Sequence, residues 1–210
     1  ASELLAQQDD SAPPIALTYQ WEQQYYGKIN GVEALLYHRS FSRAKLSFAD
    51  IDGDGDDDLF IGKADGRIAF FQNIGTSSKP EFRLKMEDFA AFHIELDANQ
   101  QPVQLEEVID VGSNAAPELV DIDSDGDLDL FIGSGDGSLF HYENRGNRIL
   151  PRLFLKTPLY MNLKFPRNLV PRFADVNGDR NPDLLVGTGS GKVRLLLNSG
   201  VTTRALFCPD

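Results

Sequence analysis

The sequence of 210 residues predicts an all-β fold built from repeated small antiparallel sheets. Two observations support this prediction. An acidic loop followed by a short apolar run occurs three times, and each run is followed by turn residues in the same phase. The three blocks, 50–75, 121–146 and 175–200, align over 26 residues without an insertion. Such repeats are typical of units that each form one supersecondary element and bury their faces against their neighbours.

Each block begins with an acidic loop. With their flanking residues, the loops read FADIDGDGDDDLFIG (48–62), LVDIDSDGDLDLFIG (119–133) and FADVNGDRNPDLLVG (173–187). Carboxylate or amide side chains stand at loop positions 1, 3, 5 and 9. Two like charges about 4 Å apart repel by about 4 kcal/mol at an effective dielectric constant near 20. A hard cation with oxygen ligands removes that repulsion, and Ca²⁺ is the usual one, so the sequence predicts three calcium loops.

An EF-hand is the main alternative for loops of this composition. That motif requires a bidentate glutamate at position 12 and a helix on each side. Position 12 is Ile61, Ile132 or Val186. Each loop instead leads into a short apolar run that ends in glycine, and short apolar runs bounded by turn residues are typical of buried strands. We therefore expect the loops to lead into strands.

The repeat continues beyond the apolar run. A second glycine follows the first by four residues, an asparagine follows seven residues later, and a last glycine follows after two more. These residues are Gly66, Asn73 and Gly75; Gly137, Asn144 and Gly146; and Gly191, Asn198 and Gly200. Asp-Gly or Ser-Gly at the second glycine is a hairpin signal because glycine accepts positive φ at little cost. Each block therefore predicts a metal loop, a strand, a hairpin turn and a second strand.

The segments outside the blocks predict further parts of the same architecture. Residues 1–14 are interpreted as a polar tail, and 15–40 as a degenerate unit with a hairpin at Asn30-Gly31 and no metal loop. In the long connection 83–116, Phe92, Ile94 and Leu96 alternate with polar residues as in a strand. Residues 201–207 are expected to begin another unit.

The block spacing suits one four-stranded sheet per unit within a single domain, 15–210. Blocks begin 71 and then 54 residues apart. Four-stranded sheets that stack radially form a β-propeller. We favour four blades, three intact and one shared between the two ends of the chain. The alternative is a partial ring of a larger propeller, completed by further sequence or by a second chain.

Charge and composition exclude several classes of function. The net charge is −12, and it combines −19 on residues 1–144 with +7 on 145–210. Three bound Ca²⁺ ions would reduce it to −12 + 6 = −6. This acidity argues against a nucleic-acid partner, while the opposite charges of the two parts allow self-association. No apolar run approaches the roughly 18 residues of a membrane span, and the single cysteine, Cys208, permits no internal disulfide.

These residues closely resemble the FG-GAP and VCBS repeat family of calcium-binding propeller blades, which is related to the integrin α-chain propeller. The resemblance rests on the loop FADIDGDGDDDLFIG, the Asp-Gly turn and the segment after it, and it covers about 46–82, 115–153 and 170–207. It implies Ca²⁺ ligands from the side chains at positions 1, 3, 5 and 9 and from the backbone carbonyl at position 7. Carried over, the ligands are Asp50, Asp52, Asp54, Asp56 and Asp58; Asp121, Asp123, Asp125, Asp127 and Asp129; and Asp175, Asn177, Asp179, Asn181 and Asp183.

The third loop departs from this pattern. Arg180 replaces glycine at position 6, where a left-handed backbone costs another residue roughly 1–2 kcal/mol. Asn177 also removes one negative charge. We therefore expect two occupied Ca²⁺ sites and a third that is weaker or empty. Extracellular calcium modules bind at about 10⁻⁴–10⁻³ M, so the expected location is extracellular, on the cell surface or periplasmic.

The sequence shows no catalytic constellation, so we do not expect an enzyme. His38, His93 and His141 lie in unrelated contexts, and Cys208 has no activating partner in sequence. The predicted function is recognition, adhesion or scaffolding by a calcium-stabilised propeller module, with an unidentified protein or glycan ligand. The alternative is a lectin-like protein or an accessory domain of a carbohydrate-active enzyme. For that alternative, Trp21, Tyr25 and Tyr26 would form a sugar-stacking platform.

Overall fold

A computed structural model describes residues 26–29, 32–35 and 42–207. Within this part the regular structure is almost entirely β, as the sequence predicts, with one 3₁₀ turn at Tyr160–Asn162. No helix in the described residues has the length and apolarity needed to cross a membrane. The predicted tail 1–14, the Asn30-Gly31 turn, His38, Cys208 and the proposed sugar-stacking side chains lie outside the described residues.

The first two strands form a separate hairpin, β1 (Tyr26–Ile29) and β2 (Val32–Leu35), where the degenerate unit is predicted. Unit 1 follows as a four-stranded antiparallel sheet in sequence order. Its strands are β3 (Lys45–Ala49), β4 (Asp58–Gly62), β5 (Ile68–Asn73) and β6 (Phe82–Met86). The first acidic loop joins β3 to β4, and the predicted glycine turn joins β4 to β5.

Unit 2 has the same order but carries two additional strands at its outer edge. The inserted hairpin is β7 (Ala90–Leu96) and β8 (Pro102–Val108), and the unit itself is β9 (Ala116–Val120), β10 (Asp129–Gly133), β11 (Leu139–Asn144) and β12 (Leu153–Thr157). β7 confirms the strand predicted from Phe92, Ile94 and Leu96. It pairs with β12 in parallel through Phe92 and Phe154, so the sheet has the order β8-β7-β12-β11-β10-β9.

Unit 3 contains β13 (Val170–Ala174), β14 (Asp183–Gly187) and β15 (Val193–Leu196). Phe207 forms a bridge with Asn198. In units 1 and 2 the equivalent asparagine pairs with the first residue of the fourth strand, as in Asn73 with Phe82. Residues 201–207 therefore lead back to unit 3 as the start of its own fourth strand. The expectation that they begin another unit is wrong.

The core lies between the units, since the middle sheet is buried on both faces. Between units 1 and 2, Phe60 stacks on Phe70 at 4.8 Å and meets Phe89 edge-on at 5.4 Å, against Leu130 and Ile132 of unit 2. Between units 2 and 3 lies a second cluster. Its principal members are Phe131, Leu139, Tyr160, Phe165, Leu169, Leu184, Val186 and Leu196.

The first strands of the three units converge on one ion pair. Arg172 of β13 donates to the carboxylate of Glu118 in β9 and, at 2.8 Å, to the carbonyl oxygen of Leu46 in β3. Ser47 of β3 donates its hydroxyl to Glu118 at 3.3 Å. Ser47, Glu118 and Arg172 each stand three residues before the first aspartate of an acidic loop. Equivalent positions of three sheets thus meet at one place, and the acidic loops follow directly from strands that are held together there.

Candidate metal centre

Each acidic loop connects the first and second strands of its unit, so the sheet fixes both ends of the loop. One carboxylate oxygen from each of Asp50, Asp52 and Asp54 lies within 4.8 Å of the other two. The equivalent acids of unit 2 do the same, and they are Asp121, Asp123 and Asp125. The sequence-predicted ligands at positions 1, 3 and 5 are therefore brought together in two loops.

The loops share one backbone conformation, set by the first aspartate. Its Oδ2 accepts the N–H of position 6 in all three loops, at 3.1 Å from Gly55, 3.1 Å from Gly126 and 2.9 Å from Arg180. Position 6 has φ of 94°, 94° and 73° in the same order. The left-handed conformation expected at Arg180 is therefore present, where most side chains other than glycine carry strain.

The aspartate at position 9 is the first residue of the second strand and is buried in every unit. In Asp58, Asp129 and Asp183, Oδ1 accepts a backbone N–H from across the sheet at 2.7–2.8 Å. The second oxygen differs among the units. Oδ2 of Asp58 is buried with no partner among the described residues, Oδ2 of Asp129 lies 2.8 Å from Nε2 of His141, and Oδ2 of Asp183 accepts the N–H of Val176 at 3.1 Å.

The residue that donates this N–H is the recurring asparagine, for which sequence reasoning gave no role. Asn144 donates its backbone N–H to Asp129, while its side-chain Oδ1 accepts the N–H of Gly146 at 2.9 Å and of Arg152 at 2.8 Å. Asn73 and Asn198 make the same set of bonds. The asparagine thus fixes the position-9 carboxylate to the turn that begins the fourth strand. Its recurrence in phase as Asn-x-Gly was the signal for this role.

The first loop has unsatisfied acceptors. Besides Oδ2 of Asp58, Oδ1 of Asp50 is buried with no partner among the described residues. The other oxygen of Asp50 accepts Arg148 at 2.9 Å, and Gln72 donates to Asp52 at 2.7 Å. Buried polar atoms are nearly always paired, so two unpaired carboxylate oxygens in one loop call for a cationic partner.

Burial and mutual repulsion penalise negative charge in the first two loops. Burial, reinforced by Asp52 and Asp54, raises the pKa of Asp58 to about 7. In unit 2, burial and then the charges of Asp125 and Asp129 raise the pKa of Asp127 to about 6. Elevated carboxylate pKa values of this origin indicate excess negative charge in the loop, which the ion pair of Asp50 with Arg148 offsets only in part in unit 1. A divalent cation bound there would offset this charge.

Most side-chain acceptors of the third loop are already used, although Oδ1 of Asn181 is buried with no partner among the described residues. Asp175 accepts N–H groups from Gly178 at 2.7 Å, Asp179 at 3.1 Å and Arg180 at 2.9 Å, and the side-chain amide of Asn177 donates to Asp179 at 2.9 Å. These backbone hydrogen bonds hold the pKa of Asp175 below its ordinary value, and the bond from the N–H of Arg180 contributes most. The residues of this loop therefore fit a cation less well than those of the first loop.

The residues at position 7 and the histidines complete the site description. Asp56 and Asn181 are half-buried and Asp127 is buried, each two residues before the second strand of its unit. His141 is 2% exposed and stacks on Phe131 at 4.3 Å, with Tyr160 edge-on at 5.0 Å. This histidine is packed in the core.

Comparison with protein families finds one match. Residues 121–186, which carry the second and third acidic loops, match the family model of the FG-GAP-like repeat. This confirms the resemblance inferred from the loops over about a third of the chain. Searches of curated proteins and of solved structures gave no match.

Proposed function

Because residues 121–186 form an FG-GAP-like repeat, we propose that this protein is a propeller-like recognition module whose acidic loops bind Ca²⁺. The radial arrangement is supported by the three sheets that pack face to face and by the convergence of their first strands at Glu118 and Arg172. We propose a partial ring of three units rather than four blades, since residues 201–207 belong to unit 3.

The observation that carries the calcium proposal is the pair of buried oxygens in the first loop that have no hydrogen-bond partner among the described residues, Oδ1 of Asp50 and Oδ2 of Asp58. Side chains at positions 1, 3, 5 and 9 of the first two loops would hold the ion, together with the carbonyl at position 7. Ca²⁺ would offset the repulsion among these carboxylates and the penalty of burying them. In the second loop His141 already contacts one of the required oxygens, so unit 1 offers the better site.

A structural ion that binds only the folded chain stabilises it by RT ln(1 + [Ca²⁺]/Kd), about 2.7 kcal/mol per site at a hundredfold excess over Kd. We expect the melting temperature to rise when Ca²⁺ replaces EDTA, and Mg²⁺ to have a smaller effect because it needs stricter octahedral geometry. Thermal melts with each ion, and calorimetric titration of the metal-free protein with Ca²⁺, measure this. Failure of Ca²⁺ both to bind and to raise the melting temperature would refute the proposal.

Two substitutions in the same loop make the test specific. Asp54→Asn changes an exposed predicted ligand, and Asp57→Asn changes an exposed acid at position 8, which is not a predicted ligand. Both remove one negative charge. We expect Asp54→Asn to weaken or abolish one binding event and Asp57→Asn to leave it nearly unchanged. Equal effects would show that Ca²⁺ binding depends only on net charge and does not use the predicted ligands.

The role in recognition and the location follow from the family and from the proposed ion. FG-GAP-like repeats are typically non-catalytic, extracellular modules, and weak calcium loops fill mainly outside the cytosol. We therefore propose a non-catalytic protein that acts in an extracellular or periplasmic compartment and binds another macromolecule. The carbohydrate-binding alternative has no support from the described residues, since its aromatic platform lies outside them.

A further inference from the structure

The contact between consecutive units is formed in the same way twice. Asn114 and Ala115, just before the first strand of unit 2, donate their N–H groups to Ala64 O at 2.9 Å and Lys63 O at 3.0 Å. Asn168 and Leu169 of unit 3 donate to the equivalent carbonyls of unit 2 at 3.1 Å each. We call 114–115 and 168–169 the insertion pairs, and 62–66 and 133–137 the receiving turns.

Glycines make this contact possible. A Cβ atom on Gly62 would collide with the carbonyl oxygen of Ala115, and one on Gly133 would collide with that of Leu169. A second glycine in each receiving turn, Gly66 or Gly137, is equally close to the backbone of the following unit. Glycine at these places lets the backbone of the next unit approach closely.

Unit 3 has the same receiving turn, residues 187–191, and it is open. A Cβ on Gly187 would meet only Val170 of its own unit, at 3.7 Å, and one on Gly191 would meet nothing within 4 Å. Among the described residues, the carbonyl of Thr188 accepts only the N–H of Gly191 within the turn, and that of Gly189 accepts none.

The sheet face beside this turn is also apolar and exposed. Leu195 is 48% exposed and stands where unit 1 has Phe70 and unit 2 has His141, both of which are buried against the next unit. Val193 and Leu197, on the same face, are exposed as well. Unit 3 therefore presents the complete surface that units 1 and 2 use to receive a neighbour.

Unit 1 presents the matching insertion pair. Arg43 and Ala44 precede its first strand at the same distance from the metal loop as the other pairs, and both are exposed. Arg43 has φ of 56°, compared with 50° in Asn114 and 58° in Asn168. The pair thus already has the left-handed conformation of the docked pairs, and no described residue accepts its N–H groups.

We propose that a second copy of this chain docks here, with the insertion pair 43–44 of one copy in the receiving turn 187–191 of the other. Among the described residues both halves of the contact lack a partner, and the insertion pair already has the backbone conformation of the two docked pairs. Propellers typically have four to eight blades, and two copies contribute six units, which allows this head-to-tail contact to close as a dimer. The contact depends on unit packing and not on calcium, so its test is separate from that of the proposed function.

Sedimentation of the whole chain over about 1–100 μM measures the association directly. We expect a reversible transition from 23.3 kDa to about twice that mass. The blocking variant is Gly187→Val, which has room within its own unit but fills the receiving turn. It should weaken association roughly ten- to a hundredfold.

The matched control is Leu96→Thr, which removes an exposed apolar side chain from the β7–β8 hairpin, away from both halves of the contact. Its association should equal that of the wild type. Circular dichroism of the dilute Gly187→Val variant confirms that its fold is intact. A chain that stays monomeric at the highest concentration, or an association unaffected by Gly187→Val, would overturn the proposal.

Discussion

Asn144→Ala tests whether the recurring asparagine holds each unit together. The side chain is buried, with its residue 5% exposed, and its Oδ1 accepts the N–H groups of Gly146 and Arg152. Alanine removes this acceptor from both N–H groups. Both hydrogen bonds are partly buried, so water has little access to replace the lost oxygen. An unsatisfied buried donor costs about 1–3 kcal/mol, and the two together should lower the free energy of unfolding by about 2–4 kcal/mol. We prefer Asn144 to Asn73 for this test. The side-chain amide of Asn73 also donates to the carbonyl oxygen of Asp57, whereas Nδ2 of Asn144 has no partner among the described residues. The substitution of Asn144 therefore removes only the hydrogen bonds to Oδ1.

The chain contains a matched control three residues away. Oδ1 of Asn147 also accepts two backbone N–H groups, from Ile149 and Leu150 at 3.0 Å each, but this residue is exposed. Water replaces its side chain, so Asn147→Ala should cost less than about 0.5 kcal/mol. Urea unfolding followed by far-ultraviolet circular dichroism, with and without Ca²⁺, gives both values. Equal losses for the two variants, or a loss below about 0.5 kcal/mol for Asn144→Ala, would refute this role for the asparagine.

Two further predictions concern charged groups. The hydrogen bond from buried Lys63, at 2.5 Å, holds the pKa of Asp88 below its ordinary 3.8, so this carboxylate adds stability above about pH 3.8 that is lost as pH falls through the lower folded value. From about pH 5 to 3 the wild type should therefore lose more stability than Asp88→Asn, and equal losses would contradict this. His141→Phe leaves Oδ2 of Asp129 buried without its partner, so the metal-free protein should lose about 1–3 kcal/mol. Its stabilisation by Ca²⁺ should then exceed that of the wild type, and an equal or smaller gain would contradict the competition between histidine and ion.

The parts of the fold that the sequence predicts are those whose signal is local. The acidic loops, the glycine turns and the strand around Phe92 each follow from residues within a few positions of one another. The left-handed backbone at Arg180 was predictable for the same reason, since the glycines of the other two loops mark that position. Repetition strengthened each signal, because a feature present three times in phase cannot be accidental.

Contacts between units could not be predicted from the sequence. Ser47, Glu118 and Arg172 occupy equivalent positions but differ in chemistry, so no recurring residue marks the place where the first strands meet. The parallel pairing of β7 with β12 joins segments about 60 residues apart, and it depends on where the inserted hairpin packs. The assignment of 201–207 failed for a related reason, since pattern alone does not show which sheet a strand joins.

The three acidic loops also show why counting aspartates does not rank metal sites. The first two loops carry aspartate at all four predicted side-chain positions and are identical in sequence at those positions. In the structure the last ligand of each loop has one oxygen committed to the asparagine N–H, so its capacity for a cation depends on the second oxygen. Among the described residues that oxygen has no hydrogen-bond partner of normal geometry in Asp58, where the backbone of Ile51 contributes only weakly. It contacts an imidazole in Asp129 and accepts a backbone N–H in Asp183. The competence of each loop therefore depends on what this oxygen contacts, which is His141 from outside the loop in unit 2 and Val176 from within the loop in unit 3. We expect the order of affinity to follow the order in which this acceptor is available.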